Sequence, residues 1–254
     1  MTGRYDMHCH LSLMANSREV AEGAQERDIN MLAVSVTPAD AAAAHRQLDG
    51  CARVRTGLGL HPWWLADGRC GETEIARFME AVRDARFIGE IGVDAGRKCA
   101  GTQEMQLDVL TRMAAAVRDR DIGRRVLSIH AVRSAGAVLD VLERFELTSR
   151  HACIFHWFTG SSDELVRARS AGCYFSINER MLATKRGREY ARTIPVGSLL
   201  LETDAPPVLG ETYAAELIDE SLARSLASIS TLRGIPAADL EARIESTSSE
   251  VLGM

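Results

Sequence analysis

Apolar positions along this chain recur with two periods that alternate from end to end. Short runs rich in Val, Ile, Leu and Phe are separated by longer segments in which the apolar residue returns every three or four positions. The short runs predict eight strands: YDMHCH (5–10), MLAVSVT (31–37), RVRTGLGLH (53–61), FIGEIGVD (87–94), RVLSIHA (125–131), ACIFHWF (152–158), CYFSIN (173–178) and LLLETDA (199–205). Segments such as SREVAEGAQERD, ETEIARFMEAVRDA and VRSAGAVLDVLERFE predict seven helices between them, and YAAELIDESLARSLASISTLRG predicts a long eighth after the last strand. Eight such repeats describe an α/β fold of the (β/α)8 or TIM-barrel type, whose usual length of about 250 residues suits a chain of 254. A single barrel over 1–254 is expected, with 236–254 as a terminal helical appendage. No linker, low-complexity tract or finer repeat interrupts the rhythm.

The polar residues that break the apolar runs fall at one place in this rhythm. His8 and His10 end the first predicted strand, His61 the third, and Glu90 lies in the fourth. His130 ends the fifth, His156 lies in the sixth, Asn178 ends the seventh, and Glu202 and Asp204 lie in the eighth. In a barrel of parallel strands these ends converge on one rim, where active sites are built. Of the histidines, only His45 and His151 lie elsewhere. Residues two apart on a strand point the same way, so His8 and His10 face inward together while Cys9 faces the helices. Two imidazoles side by side form a metal claw, and burying this many ionisable groups without a compensating cation would be costly. A carboxylate can share its oxygens between two cations, which makes Glu90 the natural bridge. His130 and His156 then complete the shell of a second metal, and Asp204 that of the first.

Composition narrows the setting. With 46% hydrophobic and 26% charged residues the chain is ordinary globular material. No run approaches the roughly 20 apolar residues of a membrane helix, so a cytoplasmic protein is expected. Six cysteines without a C-x-x-C pair read as reduced thiols. A net charge of -5 gives no bulk attraction for nucleic acid, so a polyanion would need a local basic patch.

The stretches DMHCHLS, GLGLHPWW, FIGEIGVD, VLSIHAVRSA, IFHWFTGS, YFSIN and LLLETDAPP resemble, in order and spacing, the TatD family of metal-dependent deoxyribonucleases. The resemblance runs over residues 5 to 207. HWFTGS, CYFSIN and the short loop after strand four are most similar to the TatD-like nuclease of Qat antiphage defence operons. The resemblance implies a barrel of the metal-dependent hydrolase superfamily with two divalent ions, Mg, Mn or Zn. One would lie on His8, His10, Glu90 and Asp204, the other on Glu90, His130 and His156. It implies further that His61 contacts phosphate or the leaving group, and that Glu202 and Asp204 are the family's acid pair. The expected catalytic residues are therefore His61, Glu90, Glu202 and Asp204. The expected partners are nucleic acid, single-stranded DNA first, and proteins of a defence complex.

Departures from the family pattern fall outside the metal shell. Ala95 stands where an aromatic is usual, Ser134 where an acid is, Glu179 where glycine is, and VLGETY replaces a run with an Arg-Asn pair. A substitute for holding the nucleic-acid backbone is the run RMLATKRGR, with Arg180, Lys185, Arg186 and Arg188, together with Asn178. Trp63, Trp64 and Trp157 are candidates for stacking on bases. Three readings stand: an exonuclease trimming single-stranded ends; a small-molecule amidohydrolase or aminoacyl-tRNA deacylase on the same metals; and a non-catalytic subunit of a defence complex. The intact ligand set speaks against the third.

Overall fold

The computed structural model describes residues 3–254. All eight predicted strands are present: β1 Tyr5–Cys9, β2 Asn30–Val34, β3 Val54–Gly57, β4 Phe87–Asp94, β5 Val126–Val132, β6 Ala152–His156, β7 Tyr174–Ile177 and β8 Leu199–Leu201. The seven predicted helices between strands are Ser17–Glu26, Pro38–Gln47, Glu72–Ala81, Gln103–Arg118, Ala135–Arg144, Ser162–Ser170 and Lys185–Thr193, and the eighth is Ala215–Arg233. Three short helices carry no periodic signal in the sequence, Pro62–Ala66, Leu147–Arg150 and Glu179–Leu182. Each is little more than a turn, too short for a 3.6-residue repeat to register.

Several strands end earlier than their apolar runs. β3 stops at Gly57 and β8 at Leu201, so His61, Glu202 and Asp204 lie in the segments that follow. Beyond β3 the chain keeps bonding to β4, with Leu58 N on Phe87 O at 3.0 Å and Gly89 N on Leu58 O at 2.9 Å, and it passes very close to its neighbours. A Cβ on Gly59 would lie 1.8 Å from the Ser35 carbonyl oxygen and 2.6 Å from the Glu90 nitrogen. The pairing continues from Leu60 N to Glu90 O at 3.0 Å, and His61 N donates to Val36 O at 2.9 Å.

The chain divides into two compact units. The first comprises the residues up to Ala33, Ala43–Thr56 and Phe175–Met254. Within it β1 runs parallel to β2, Tyr5 opposite Asn30, and β7 parallel to β8, Phe175 opposite Leu199. After Pro236 the chain forms the helix Ala237–Leu252, which buries Leu240, Ile244, Val251 and Leu252. Glu245 accepts from the Gly3 N–H and Glu241 from Arg4 Nε, both at 3.0 Å, so this helix is fastened to the chain entering β1.

The second unit comprises Val34–Ala42 and Gly57–Tyr174. Here β4, β5 and β6 lie side by side and parallel, and their apolar residues are almost wholly buried. At the end of this sheet opposite the strands' C-termini sits Arg125, which has no exposed surface. Its guanidinium donates to four carbonyls, those of Val82 and Ala85 at 2.8 Å, Arg83 at 2.7 Å and Arg120 at 2.6 Å. A planar, forked donor set is suited to gathering the open carbonyls where helices end. His151 accepts from the Arg125 N–H at 3.3 Å, and burial, followed by the nearby Arg125 and Arg150 charges, pushes its imidazole down to about 4.

Among the described residues no helix is long and apolar enough to cross a membrane. Arg125→Met is expected to destabilise the fold by about 3 kcal/mol, because it takes the donor from four carbonyls, that of Val82 in a buried place. Denaturant unfolding measures this; a midpoint equal to wild type would refute the role.

Candidate metal centre

In the first unit, Asp6, His8 and His10 lie along β1 and its continuation, whose pairing with β2 shifts register between Asp6 and Cys9. Cys9 points at β2, its Sγ 3.7 Å from the Leu32 carbonyl oxygen. The His8 and His10 rings meet edge to face, 5.0 Å between centroids. Past β8 the chain bends over them. The Asp204 N–H donates to the His8 carbonyl at 2.9 Å with φ at 55°, and its Oδ1 lies 3.8 Å from His8 Nε2 and 3.6 Å from His10 Nε2. Asp6 fixes that bend, accepting from Thr203 N at 3.0 Å, Thr203 Oγ1 at 2.5 Å and His8 N at 3.3 Å. Burial raises its carboxyl to about 7 against these bonds. Glu202 is buried; it accepts from Ser176 Oγ and from Asn178 Nδ2, the latter at 2.7 Å. A Glu202 oxygen also lies within 4.8 Å of a His8 ring nitrogen.

In the second unit three imidazoles converge on one carboxylate oxygen. Glu90 Oε1 lies 2.8 Å from His130 Nδ1, 2.8 Å from His156 Nε2 and 3.2 Å from His61 Nε2. β4 can bring Glu90 there because Gly92, φ 138°, lets it pass the β5 backbone; a Cβ would sit 2.0 Å from the His130 carbonyl oxygen. Asp94, on the same face of β4 as Glu90, accepts from His130 Nε2 at 3.0 Å, Trp63 Nε1 at 2.6 Å and Gly96 N at 2.6 Å. Burial pushes this carboxyl up, but those bonds outweigh it and hold it down at about 2. His61 begins the helix Pro62–Ala66, and its Nδ1 accepts from the Trp63 N–H at 3.1 Å.

The donor sets fit divalent cations. Tetrahedral ligands 2.0–2.2 Å from an ion stand about 3.3–3.6 Å apart, close to the spacings around Asp204 Oδ1. Around Glu90 the argument is chemical. Asp94 takes the Nε2 proton of His130, which leaves Nδ1 with its lone pair facing Glu90 Oε1 at 2.8 Å. Two acceptors at that distance require a proton or a metal ion between them. Without a metal that position is a proton's: burial lowers the His130 imidazole, and the Asp94 and Glu90 bonds raise it further, for a net rise. His61 differs: because Nδ1 accepts, its neutral ring carries the proton on Nε2, which makes it a donor rather than a ligand.

The other sequence candidates are placed as follows. Asn178 is buried, with Oδ1 on the Met181 N–H at 2.8 Å and Nδ2 on Glu202, so both ends of its amide have protein partners. Arg180 is exposed and reaches Asp204 Oδ2 at 3.5 Å. Arg188 donates to the carbonyls of Leu182 and Ala183, both at 3.0 Å, closing the preceding short helix. Lys185 and Arg186 are exposed in the first turn of Lys185–Thr193. Trp63 is 39% exposed, whereas Trp64 is covered by the Arg69 guanidinium at 4.0 Å. The departures from the family pattern have local partners. Ser134 Oγ donates to Val93 O at 2.7 Å, and Glu179 accepts from Ser221 at 2.7 Å and Arg224 Nε at 2.7 Å. The VLGETY loop is fastened to the segment after β1 by Gly210 N to Leu13 O and Ala15 N to Glu211 O, at 2.7 and 2.9 Å. Asp6 and Asp94 do not stand out in the sequence, though each lies on the strand of a candidate ligand.

The TatD-related DNase family matches this chain over residues 5–253. The chain belongs to that family. Human deoxyribonuclease TATDN3 is 24% identical over 98% of this chain and 93% of its own length. The 3'-5' ssDNA/RNA exonuclease TatD of Pantoea ananatis is 29% identical over 59% of this chain, which spans just over half, 57%, of that relative. Among solved structures, the TatD homologue YJJV of Escherichia coli superposes with a TM-score of 0.82 at 21% identity, over 99% of this chain and 98% of that one. That likeness shows the fold, a TIM-barrel-like α/β architecture. The Qat subfamily is not distinguished by these matches.

His10→Ala is expected to weaken divalent-metal binding by more than about 100-fold, beyond the 10–100-fold typical of a group that only supports a ligand. Cys9→Ser should leave it unchanged. Equilibrium dialysis with elemental analysis decides this, and full metal content in His10→Ala would remove the claw.

Proposed function

We propose that this chain is a metal-dependent phosphodiester hydrolase that trims single-stranded ends of nucleic acid, DNA first. The observation that carries the reading is the convergence of His61, His130 and His156 on Glu90 Oε1, with His61 differing from the other two in its proton. His8, His10 and Asp204 would hold one cation, and Glu90, His130 and His156 another. The bridging role of Glu90 rests on a carboxylate's capacity to share its oxygens between two cations and on the family resemblance. Divalent ions, when bound, supply positive charge that acidifies water and neutralises the charge developing on the phosphoryl group; the nitrogen and oxygen ligands admit Mg, Mn or Zn.

The chain's own residues supply the rest. His61 holds a proton at Nε2, 3.2 Å from Glu90 Oε1, and is the group placed to give it to a leaving oxygen. Glu202, held by Ser176 and Asn178, presents a fixed carboxylate beside His8. Arg180, Lys185 and Arg186 are the cations for phosphate, and Arg188, which uses Nη1 on two carbonyls, keeps its charge beside them. The Pantoea relative, an exonuclease on single-stranded DNA and RNA, supports a single-stranded substrate.

One observation favours a second reading. Where the family pattern has an Arg-Asn pair, this chain exposes Val208 and Leu209 on the fastened loop. Such a surface suits a small or acylated substrate, and a hydrolase of that class is the alternative. A place in antiphage defence, in the cytoplasm and with partner proteins, is also proposed, on the motif variants HWFTGS and CYFSIN.

Two measurements test these readings. Neutralising Lys185 and Arg186 together should lower the log-log salt slope of single-stranded DNA binding by about 1.4, at roughly 0.7 for each phosphate no longer neutralised, with bound metal unchanged. An unaltered slope refutes the role of this basic loop, and no binding or cleavage of any nucleic acid by wild type moves the assignment to the second reading. Cells carrying the gene with its neighbours should resist phage, and His8→Ala should abolish that resistance; equal plating of phage on wild-type and variant cells would sink the defence role.

A further inference from the structure

Asp94 touches two groups of different kinds. Its Oδ2 accepts from His130 Nε2 at 3.0 Å and from the Trp63 indole N–H at 2.6 Å. The carboxylate is itself firmly set. Its Oδ1 takes the Gly96 N–H at 2.6 Å, the Asp94 N–H donates to Gln106 Oε1 at 2.7 Å, and Gln106 Nε2 returns to the Asp94 carbonyl at 3.3 Å. Gln106 has no exposed surface, so this clamp is dry. Neither Asp94 nor Gln106 belongs to the candidate ligand set.

The geometry points to Asp94 as a positioning residue that couples the His130 ligand to the Trp63 indole, so that cation binding at one is felt at the other. It rests on the metal-centre reading above and deepens it. A carboxylate that takes the far N–H of a ligating imidazole fixes its tautomer and orientation and raises its basicity. Here the same oxygen also orients the indole. The indole stands edge to face with His61 at 5.2 Å and His130 at 6.2 Å, and Lys98 Nζ lies 5.0 Å from its ring. Trp63 is 39% exposed, so an aromatic surface with a cation against it faces solvent. That is chemistry for a flat ring carrying an anion, as a nucleotide does. Coupling between two sites is reciprocal, so a base stacked on Trp63 would tighten the cation as the cation orders the indole.

The test uses the full chain and zinc alone, a closed-shell ion. Metal affinity is measured by dialysis and tryptophan emission is followed through the same titration. In wild type, zinc should change the emission at the concentration where it binds. Trp63→Phe should remove that change while keeping zinc affinity within about threefold, because Asp94 still holds His130. Asp94→Asn should lose the emission response and bind zinc about 10–100-fold more weakly, at a thermal midpoint of the metal-free protein close to wild type. Should Asp94→Asn fail to fold, Asp94→Glu, which keeps the charge but moves the oxygens by one methylene, takes its place with the same expectations. Wild-type zinc affinity in either Asp94 variant overturns the positioning role, and an emission response that survives Trp63→Phe, or is missing in wild type, overturns the coupling. If these results hold while wild type cleaves no nucleic acid, the positioning role stands and only the nuclease reading fails.

Discussion

One buried oxygen, Glu90 Oε1, sets the terms for much of the second unit. Three imidazole nitrogens lie within 2.8 to 3.2 Å of it, and a carboxylate taken out of water is tolerated only when its lone pairs are met by protons or by metal. The approach demands glycines. At positions 59 and 92 any side chain would collide with the neighbouring backbone, and this is why the FIGEIGVD and GLGLHPWW stretches look as they do. Their glycines are spacing elements that let chains close around a charged centre.

A second tier of carboxylates sits behind the candidate ligands, and the two units use it alike. Asp6 gathers the Thr203 segment that carries the chain toward Asp204, and Asp94 takes the far side of His130. Each lies on the strand of a candidate ligand, Asp6 two residues before His8 and Asp94 four after Glu90, so the strand that carries the ligand carries its support as well. Their environments differ. Asp6 meets neutral donors in a buried place and stays near 7, whereas Asp94 meets an imidazole and an indole and is held near 2. The family departures belong to a different layer. Ser134, Glu179 and the VLGETY loop all bind within the protein, so they reshape how surrounding segments are tied together while the candidate ligands keep their places.

The sequence by itself determined the alternation of eight strands and eight helices and the list of residues that break the apolar runs at the strand ends. Both are local properties. A two-residue or 3.6-residue period is written in consecutive side chains, and a histidine in an apolar run stands out wherever the chain later goes. Tertiary structure alone decided what each of these residues does, because that depends on partners distant in sequence. The β3 run reads as one strand to His61, yet the regular strand ends at Gly57, and beyond it Leu60 bonds to Glu90 while His61 bonds to Val36. Asn178 and Arg188 read as substrate-binding candidates, and their bonds to Glu202, Met181, Leu182 and Ala183 are visible only in the folded chain. His61 follows β3 and His130 lies within β5; a backbone N–H at Nδ1 puts the proton of the first on Nε2, and Asp94 at Nε2 leaves the second a lone pair at Nδ1. Hydrogen-bond partners choose the tautomer, and no spacing along a chain records which partner arrives.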